Sequence, residues 1–325
     1  MVCLTNRILV VGKTSQLGLS LQKLVDQGYY KQAPCHRNSA PRLCERSEAI
    51  SLATYDFTFV GRDTFDLANP LAIDAFFTHN RFDVIINCAA YTNVDQAESE
   101  LELANQINHL GVKQLAKWAK LHKSFLIHIS SDYVFEGTTT RPYLESDLPN
   151  PLNGYGQSKL KGERACLFIN PRGVIIRTSW LFSEFGHNFV KTMLGLGSMR
   201  ETLAVVSDQL GSPTYATDLA QAVLSVIAHT VKSASSKLEI YHFSNEGVCS
   251  WYDFAQAIFE LKAIDCQLKP ITSEDYAAIA KRPVYTALNN AKIMQLPGLL
   301  RRHWREALTE CLTEINHVNA PTTTQ

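Results

Sequence analysis

Residues 8–18 read ILVVGKTSQLG, and this stretch decides the fold. The apolar run Ile8–Val11 has the pattern of a buried strand, and Leu17 and Leu21 then recur at helical spacing. The turn Gly12–Gly18 lies between them, where backbone N–H groups at a helix N-terminus can hold a phosphate group. A strand, a glycine-containing turn and a helix in this order favour a dinucleotide-binding α/β fold.

The turn follows a G-x-x-G-x-x-G pattern whose three small positions are Gly12, Ser15 and Gly18. A serine at the middle position takes room from an approaching phosphate, although its hydroxyl can donate a hydrogen bond to it. Taken alone, the turn also fits a purely structural strand–turn–helix connection.

Further apolar runs alternate with amphipathic segments along the chain. They predict strands at residues 57–60, 84–87, 125–129 and 174–176, and a long helix from about 95 to 121. The sequence therefore predicts an α/β Rossmann-type doubly wound parallel sheet with a smaller C-terminal α/β substrate lobe. We expect the NAD(P)-binding domain to span residues 1–175 together with about 200–232, and to contain a loop insertion at 33–52. The substrate lobe is expected to span about 176–199 and 233–318. A flexible tail is expected at 319–325.

The whole-chain composition excludes several classes of function. Lys+Arg and Asp+Glu both number 31 in the 325 residues, so we expect no nucleic-acid partner. No signal peptide and no apolar run of membrane-spanning length is present, which predicts a cytoplasmic chain without a membrane partner. The eight cysteines form no C-x-x-C pair, so we expect reduced thiols and no metal site built on them.

Tyr155 and Lys159 stand four residues apart in a predicted helix and so share one face. A nearby ammonium favours the phenolate and lowers the tyrosine pKa, which makes the phenol a usable proton donor near neutrality. Ser131 lies at the end of the fourth predicted strand, where ligands of open parallel sheets bind, and its hydroxyl can share a substrate carbonyl with Tyr155. An exposed helix face and a strand-end cap are the alternatives for these residues when each is considered alone.

Together, in this order and spacing, these motifs resemble the extended short-chain dehydrogenase/reductases, and within them the dTDP-4-dehydrorhamnose reductase family. The resemblance covers nearly the whole chain apart from residues 33–52 and the tail. The stretches that carry it are Asn87–Thr92, Val94–Glu98, Ser131–Phe135, Arg141–Tyr143, Asn150–Gly156, Ser158–Lys159, Arg177–Trp180, Asn188–Phe189, Asp208–Gln209, Gly211–Thr214 and Arg282–Pro283.

The resemblance implies a set of roles. Tyr155 would protonate the sugar O4 as hydride arrives at C4, Lys159 would lower the tyrosine pKa and bind the nicotinamide ribose, and Ser131 stands where the family usually has threonine. Cofactor contacts would come from Gly12, Ser15, Gln16, Leu17, Gly18, Arg62, Asp66, Leu67, Ala89, Ala90, Tyr91 and Lys159. The sugar pocket would be lined by Asp132, Val134, Trp180 and Asn188.

The implied partner is a nucleotide-sugar substrate, and the implied cofactor is NADPH or NADH. Arg62 follows the second strand, where it can pair with a 2′-phosphate and favour NADPH. The resemblance also allows a Mg2+ ion at a subunit contact and a homodimer. Two alternatives stay open: a reductase of another nucleotide-linked 4-keto-6-deoxysugar, and a non-catalytic regulatory subunit with the same fold, the role one relative has for methionine adenosyltransferase.

Overall fold

The computed structural model describes residues 6–29, 55–230 and 237–319. The predicted insertion at 33–52 and the tail beyond residue 319 lie outside these residues. The strands are β1 (Asn6–Val11), β2 (Tyr55–Val60), β3 (Val84–Asn87), β4 (Phe125–Ser131), β5 (Gly173–Thr178), β6 (Leu181–Phe182), β7 (Thr202–Val206), β8 (Leu210–Gly211), β9 (Thr214–Tyr215), β10 (Leu238–His242), β11 (Cys249–Ser250) and β12 (Gln267–Ile271). The α-helices are α1 (Gln16–Asp26), α2 (Pro70–His79), α3 (Leu101–Asn105), α4 (Val112–His122), α5 (Gly154–Ile169), α6 (Phe189–Gly197), α7 (Ala216–Thr230), α8 (Trp251–Lys262), α9 (Ser273–Tyr276) and α10 (Trp304–Asn319).

Six strands form one parallel sheet in the order β10-β5-β4-β3-β1-β2. The predicted α/β doubly wound fold is therefore confirmed. The strand order reverses at β1 and β3, and the crevice beyond the carboxyl ends of these two strands is where open α/β sheets bind ligands. Gly12 and Ala89 lie just past those two ends.

The residues of β1 show why the sheet is buried on both faces. Ile8 and Val10 pack into one hydrophobic cluster with α1 and α7, whereas Leu9 and Val11 pack into another with α2 and α4. All four side chains are at most 1% exposed. Successive side chains of a strand point to opposite faces, so a continuous apolar run is what a sheet covered by helices on both sides requires.

A separate hydrophobic cluster holds the second lobe, by which we mean α6, β7, α8, β12 and α10. Its centre includes Phe254, Tyr215 and Leu308, none of which has exposed surface. Ser250 caps α8, because Ser250 and Asp253 form a reciprocal capping box at the start of this helix. Among the described residues, no helix is long and apolar enough to cross a membrane.

The lobes divide the chain differently from the prediction in two places. β10, which the predicted bounds assign to the substrate lobe, pairs in parallel with β5 as the edge strand of the main sheet. The chain returns to the sheet there because α7 packs against α1 on the sheet face, completing another strand–helix–strand crossover. β7, which the prediction gives to the dinucleotide domain, instead pairs with β12 in the second lobe.

The predicted long helix from about 95 to 121 is also wrong in its continuity. Residues 96–98 form a single 3-10 turn, and α3 is followed by a π-helical turn at Gln106–Gly111 before α4 begins. The spacing of apolar residues assumes a regular α-helix, so it does not reveal the extra residue of a π turn. Such turns inside helices occur frequently at functional sites, and this one carries Asn108 into the crevice side of the sheet.

Candidate active site

The turn after β1 is built for close backbone approach. Gly12 has φ +97°, and a Cβ placed there would lie 2.8 Å from the Ala89 nitrogen beyond β3. A Cβ at Gly18 would lie 2.2 Å from the Gly12 carbonyl oxygen. Side chains at these positions would force the turn apart, so both glycines are required by the turn itself.

Ser15 is the N-cap of α1, and its hydroxyl serves the turn internally. It donates a hydrogen bond to the Gly12 carbonyl oxygen (2.7 Å) and accepts one from the Gly18 amide (3.0 Å). Our prediction left this hydroxyl available to a phosphate, whereas the structure uses it to close the turn. The serine thus stabilises the shape of the loop through two side-chain hydrogen bonds. A glycine at this position would lack these bonds and would leave the backbone freer.

These features fit the pyrophosphate of a dinucleotide. α1 has no acidic residue in its first turn, so its N-terminal amides and positive dipole end face no competing anion there. The Leu17 side chain is 2% exposed and packs in the core, which leaves its backbone to face a ligand. Gln16 follows Ser15 at the helix start, with its amide side chain directed to the second lobe.

The predicted adenosine residues lie around the ends of β2 and α2. Arg62 is exposed in the turn after β2, beside an ion pair between Lys13 and Asp63 (2.9 Å). Asp66 accepts a hydrogen bond from the Ala68 amide (2.9 Å), and Leu67 is buried. Lys13 and Asp63 were not singled out from the sequence, because only the parallel pairing of β1 with β2 brings them together.

Ala89, Ala90 and Tyr91 run past the end of β3 and are each partly buried. The Tyr91 amide donates to Asn108 Oδ1 (2.9 Å), and Asn108 Nδ2 donates to the Tyr91 carbonyl (3.0 Å) and to Ser158 Oγ (2.9 Å). Asn108 therefore holds the Tyr91 segment against α5. Sequence reasoning missed Asn108. Asparagine has a low helix propensity, so its position inside a predicted helix is itself a signal.

Tyr155 and Ser131 meet at the start of α5. Asn153 caps this helix by accepting a hydrogen bond from the Gly156 amide (2.8 Å). A Cβ at Gly156 would lie 2.2 Å from the Tyr133 carbonyl, so glycine lets α5 pack directly on the chain that follows β4. This brings Tyr155 next to Ser131, whose hydroxyl lowers the tyrosine pKa.

The charge state of this pair follows from burial. Tyr155 is 9% exposed, and burial raises its pKa to about 12. The nearby Ser131 hydroxyl opposes this rise, and the Asp132 carboxyl adds a smaller contribution to it. Burial lowers the pKa of Lys159 to about 8. The Lys159 ammonium donates to the Ile129 carbonyl (2.7 Å). Contrary to our expectation, the pKa of Tyr155 is raised rather than lowered.

Asp132 is a buried carboxyl beside the pair. It accepts a hydrogen bond from Ser131 Oγ (2.9 Å), while its Oδ2 has no hydrogen-bond partner. Burial raises its pKa to about 6, and the nearby Thr286 and Ser131 hydroxyls oppose the rise. An unpartnered buried carboxylate oxygen costs folding free energy, and a hydroxyl-rich ligand would offer it a donor.

Two predicted sugar-pocket residues have other contacts in this structure. Val134 has no exposed surface and packs with Phe135, Tyr143 and Leu160 in a small hydrophobic cluster, so its side chain is covered. Asn188 caps α6 and donates from Nδ2 to Gln16 Oε1 (2.9 Å) and to the Ser183 carbonyl (2.8 Å). Direct sugar contacts by these two side chains remain predictions.

Trp180 is partly buried and has φ +47°. Its indole stacks on that of Trp251, with ring centroids 3.5 Å apart and planes 6° apart. One face of Trp180 is therefore covered, and Gly211 packs against the same indole, since a Cβ there would lie 2.6 Å from Trp180 Cε2. A direct sugar contact by Trp180 remains a prediction. Trp251 was missed because nothing in its sequence context distinguishes it from a core aromatic. Tyr133, also missed, packs edge-on against Tyr155.

The Mg2+ ion that the resemblance allowed finds no support. Within residues 6–29, 55–230 and 237–319, no group of three or more His, Cys, Asp or Glu side chains is arranged to hold a metal ion. The site chemistry rests on hydroxyl, ammonium and carboxyl groups.

A parallel sheet with a glycine turn at its switch point, facing a buried tyrosine, lysine and serine, defines a Rossmann-type dinucleotide-binding α/β protein. The chain belongs to a particular family within that class, because the family model described as RmlD substrate binding domain matches residues 6–317. It is 40% identical over 309 residues to the dTDP-4-dehydrorhamnose reductase of Aggregatibacter actinomycetemcomitans, a match covering 93% of this chain and 97% of the relative.

Two further relatives bear on substrate and cofactor. The dTDP-4-keto-6-deoxy-D-glucose reductase of Streptomyces niveus is 36% identical over 259 residues, covering 79% of this chain and 88% of the relative. The crystal structure of dTDP-4-dehydrorhamnose reductase from Bacillus anthracis in complex with NADP is 34% identical, with a TM-score of 0.80, and covers 96% of this chain and 100% of that one. The predicted family and fold are confirmed.

Proposed function

We propose that this protein reduces the C4 keto group of dTDP-4-dehydro-L-rhamnose to give dTDP-L-rhamnose, with NADPH as the reductant. The observation that carries the proposal is that Ser131 and Tyr155 are buried next to each other at the carboxyl edge of the sheet, with buried Lys159 one helical turn away. The family's relatives named for this activity support it.

The residues divide the reaction between them. When bound, the nicotinamide supplies the hydride that C4 receives. The Ser131 hydroxyl and the Tyr155 phenol both donate hydrogen bonds to the keto oxygen. The phenol then transfers its proton to that oxygen as negative charge develops there. Donors held in a buried site act more strongly than they would in water, because the surrounding dielectric is low.

Lys159 has the charge needed to support that proton transfer. Its pKa of about 8 keeps it mostly protonated at neutral pH, and its ammonium is fixed by the Ile129 carbonyl. An ammonium one helical turn from Tyr155 favours the phenolate that remains after proton transfer. Burial outweighs the ammonium and raises the pKa of the Tyr155 phenol, so we assign the ammonium's effect to the transition state.

NADPH is proposed over NADH on the charges near β2. The exposed Arg62 and the partly buried Lys13 lie in adjacent turns beyond β2 and β1, and a 2′-phosphate would add charge-assisted hydrogen bonds there. The homologue structure in complex with NADP supports the same choice. Comparing kcat/KM for NADPH and NADH in the wild type and in Arg62→Met tests it: the variant should lose preference for NADPH, and an unchanged preference would contradict the assignment.

A second candidate is reduction of a different dTDP-linked 4-keto-6-deoxysugar. It is favoured by the similarity to the Streptomyces niveus dTDP-4-keto-6-deoxy-D-glucose reductase. The carbonyl chemistry is the same, and the sugar hydroxyl stereochemistry differs. Measuring NADPH oxidation against dTDP-, UDP- and GDP-linked 4-keto-sugars separates the two, and we expect the highest kcat/KM with dTDP-4-dehydro-L-rhamnose.

The same assay tests the non-catalytic alternative. A regulatory subunit would bind cofactor without consuming it, so absence of NADPH oxidation with every keto-sugar of the panel would overturn the proposed function. Intact Tyr155, Lys159 and Ser131 support catalysis.

We place the reaction in the cytoplasm, where its product would serve surface-polysaccharide synthesis. The described cysteines Cys88, Cys166, Cys249, Cys266 and Cys311 are free thiols, which supports a reducing compartment. The homodimer remains a prediction, which light scattering of the purified protein tests directly.

A further inference from the structure

Gln16 connects the phosphate-binding turn to the second lobe. It is the first residue of α1, directly after the N-cap Ser15. Its side-chain Oε1 accepts hydrogen bonds from Ser183 Oγ (2.8 Å) and from Asn188 Nδ2 (2.9 Å), and its Nε2 donates to the Leu181 carbonyl (3.4 Å). We call residues 183–188 the interlobe loop, since they lead from β6 into α6.

The interlobe loop is itself rigidly held. Ser183 has no exposed surface and Asn188 is 7% exposed. Asn188 also caps α6 by accepting a hydrogen bond from the Lys191 amide (3.2 Å). A displacement of Gln16 would therefore be transmitted to a helix of the second lobe, because the loop has little freedom to absorb it.

A second contact from α1 reaches the same loop. Lys23, seven residues and so two helical turns after Gln16, pairs with buried Glu184 (2.7 Å) and also with Glu314 of α10 (2.7 Å). Glu184 in turn accepts a hydrogen bond from Tyr215 Oη (3.1 Å). Lys23 joins the lobes from the second half of α1, two helical turns away from the phosphate-binding turn. Gln16 joins them from the start of α1, within that turn.

We infer that Gln16 is a positioning residue that makes binding of the dinucleotide and of the nucleotide sugar interdependent. The inference rests on the proposed function. Dinucleotide phosphates that bind the backbone amides of residues 16 and 17 would fix the helix start, and Gln16 would then fix the interlobe loop in the position that the sugar site needs. Coupling of this kind is reciprocal, so the sugar nucleotide must tighten the dinucleotide by the same factor.

The test measures the dissociation constant of NADPH by calorimetry, with and without saturating dTDP-L-rhamnose. NADPH and this product cannot react with each other, so the ratio of the two constants is a pure coupling factor. For the wild type we expect a factor of roughly five or more, in the range typical of coupled sites. For Gln16→Met we expect a factor within about twofold of one.

Gln16→Met is chosen because it keeps the side-chain length and leaves the two donors of the interlobe loop with other partners. Ser183 Oγ still has the Phe185 carbonyl (3.0 Å), and Asn188 Nδ2 still has the Ser183 carbonyl. The variant should therefore melt at the wild-type temperature. Ser20→Ala is the matched control, because the Ser20 hydroxyl bonds only to the Gln16 carbonyl within α1 (2.9 Å) and its loss should leave the coupling factor unchanged.

The outcomes distinguish this inference from the proposed function. Equal coupling factors in the wild type and Gln16→Met, or a wild-type factor of one with both ligands bound, would overturn the inference and leave the reductase assignment standing. Failure of the wild type to bind either ligand would overturn the proposed function and the inference with it.

Discussion

Asp132 offers a quantitative test of how the site is built. Folding raises the pKa of this carboxyl from 3.8 to about 6, because it is 3% exposed and one of its oxygens has no partner. The folded protein therefore holds the proton more tightly than the unfolded chain does. The stability that this carboxyl contributes is present below pH 3.8 and is lost as the pH rises to about 6.

The shift of about two pKa units corresponds to about 3 kcal/mol, of which most develops between about pH 4 and pH 8. Asp132→Asn has the same shape, keeps an acceptor for the Ser131 hydroxyl and does not titrate. We expect the free energy of unfolding of the variant, relative to the wild type, to rise by about 2 to 3 kcal/mol across this pH range.

Urea unfolding followed by circular dichroism at several pH values measures this difference. Asp147→Asn is the control of opposite sign, because the Arg141 guanidinium lowers the pKa of Asp147 to about 2, and the wild-type advantage there should be lost as the pH falls. Parallel pH profiles for the wild type and Asp132→Asn would refute the reasoning, since they would mean that the Asp132 pKa does not change on folding.

Three further outcomes follow from the site and the core. Tyr155→Phe should lower kcat by at least about 100-fold while calorimetry finds NADPH binding retained, and turnover near the wild-type value would defeat the assignment of the proton donor. The free enzyme's kcat/KM should fall as the pH rises above about 8, because the lowered pKa of Lys159 removes the ammonium there, so a level profile up to about pH 10 would contradict its role. Glu163→Gln should destabilise the fold by about 3 to 5 kcal/mol in urea unfolding, because it leaves the buried Arg177 charge without its bidentate partner, and a loss under about 1 kcal/mol would show that the pair is dispensable.

The sheet and its ligand edge were predictable because their signals are local. Ile8–Val11 and Val84–Asn87 are continuous apolar runs, and Gly12 and Gly18 mark a turn whose geometry few other residues allow. The placement of Ser131 and Tyr155 follows from their positions at a strand end and at a helix start.

Features that depend on distant pairing were not predictable. β7 and β10 have similar strand patterns, and only their partners β12 and β5 decide which lobe each joins. The contacts of Asn108 and of Trp251 likewise depend on which elements meet in space. The Gln16 contacts join residues more than 160 positions apart, and single-sequence periodicity carries no information at that range.

Isotope transfer tests the central claim most directly. The protein is incubated with dTDP-4-dehydro-L-rhamnose and NADPH that carries deuterium at the transferable position of the nicotinamide, and the sugar product is examined by NMR. We predict one deuterium at C4 of dTDP-L-rhamnose, together with loss of label transfer in Tyr155→Phe. Deuterium at another carbon, or consumption of NADPH without label in the sugar, would contradict it.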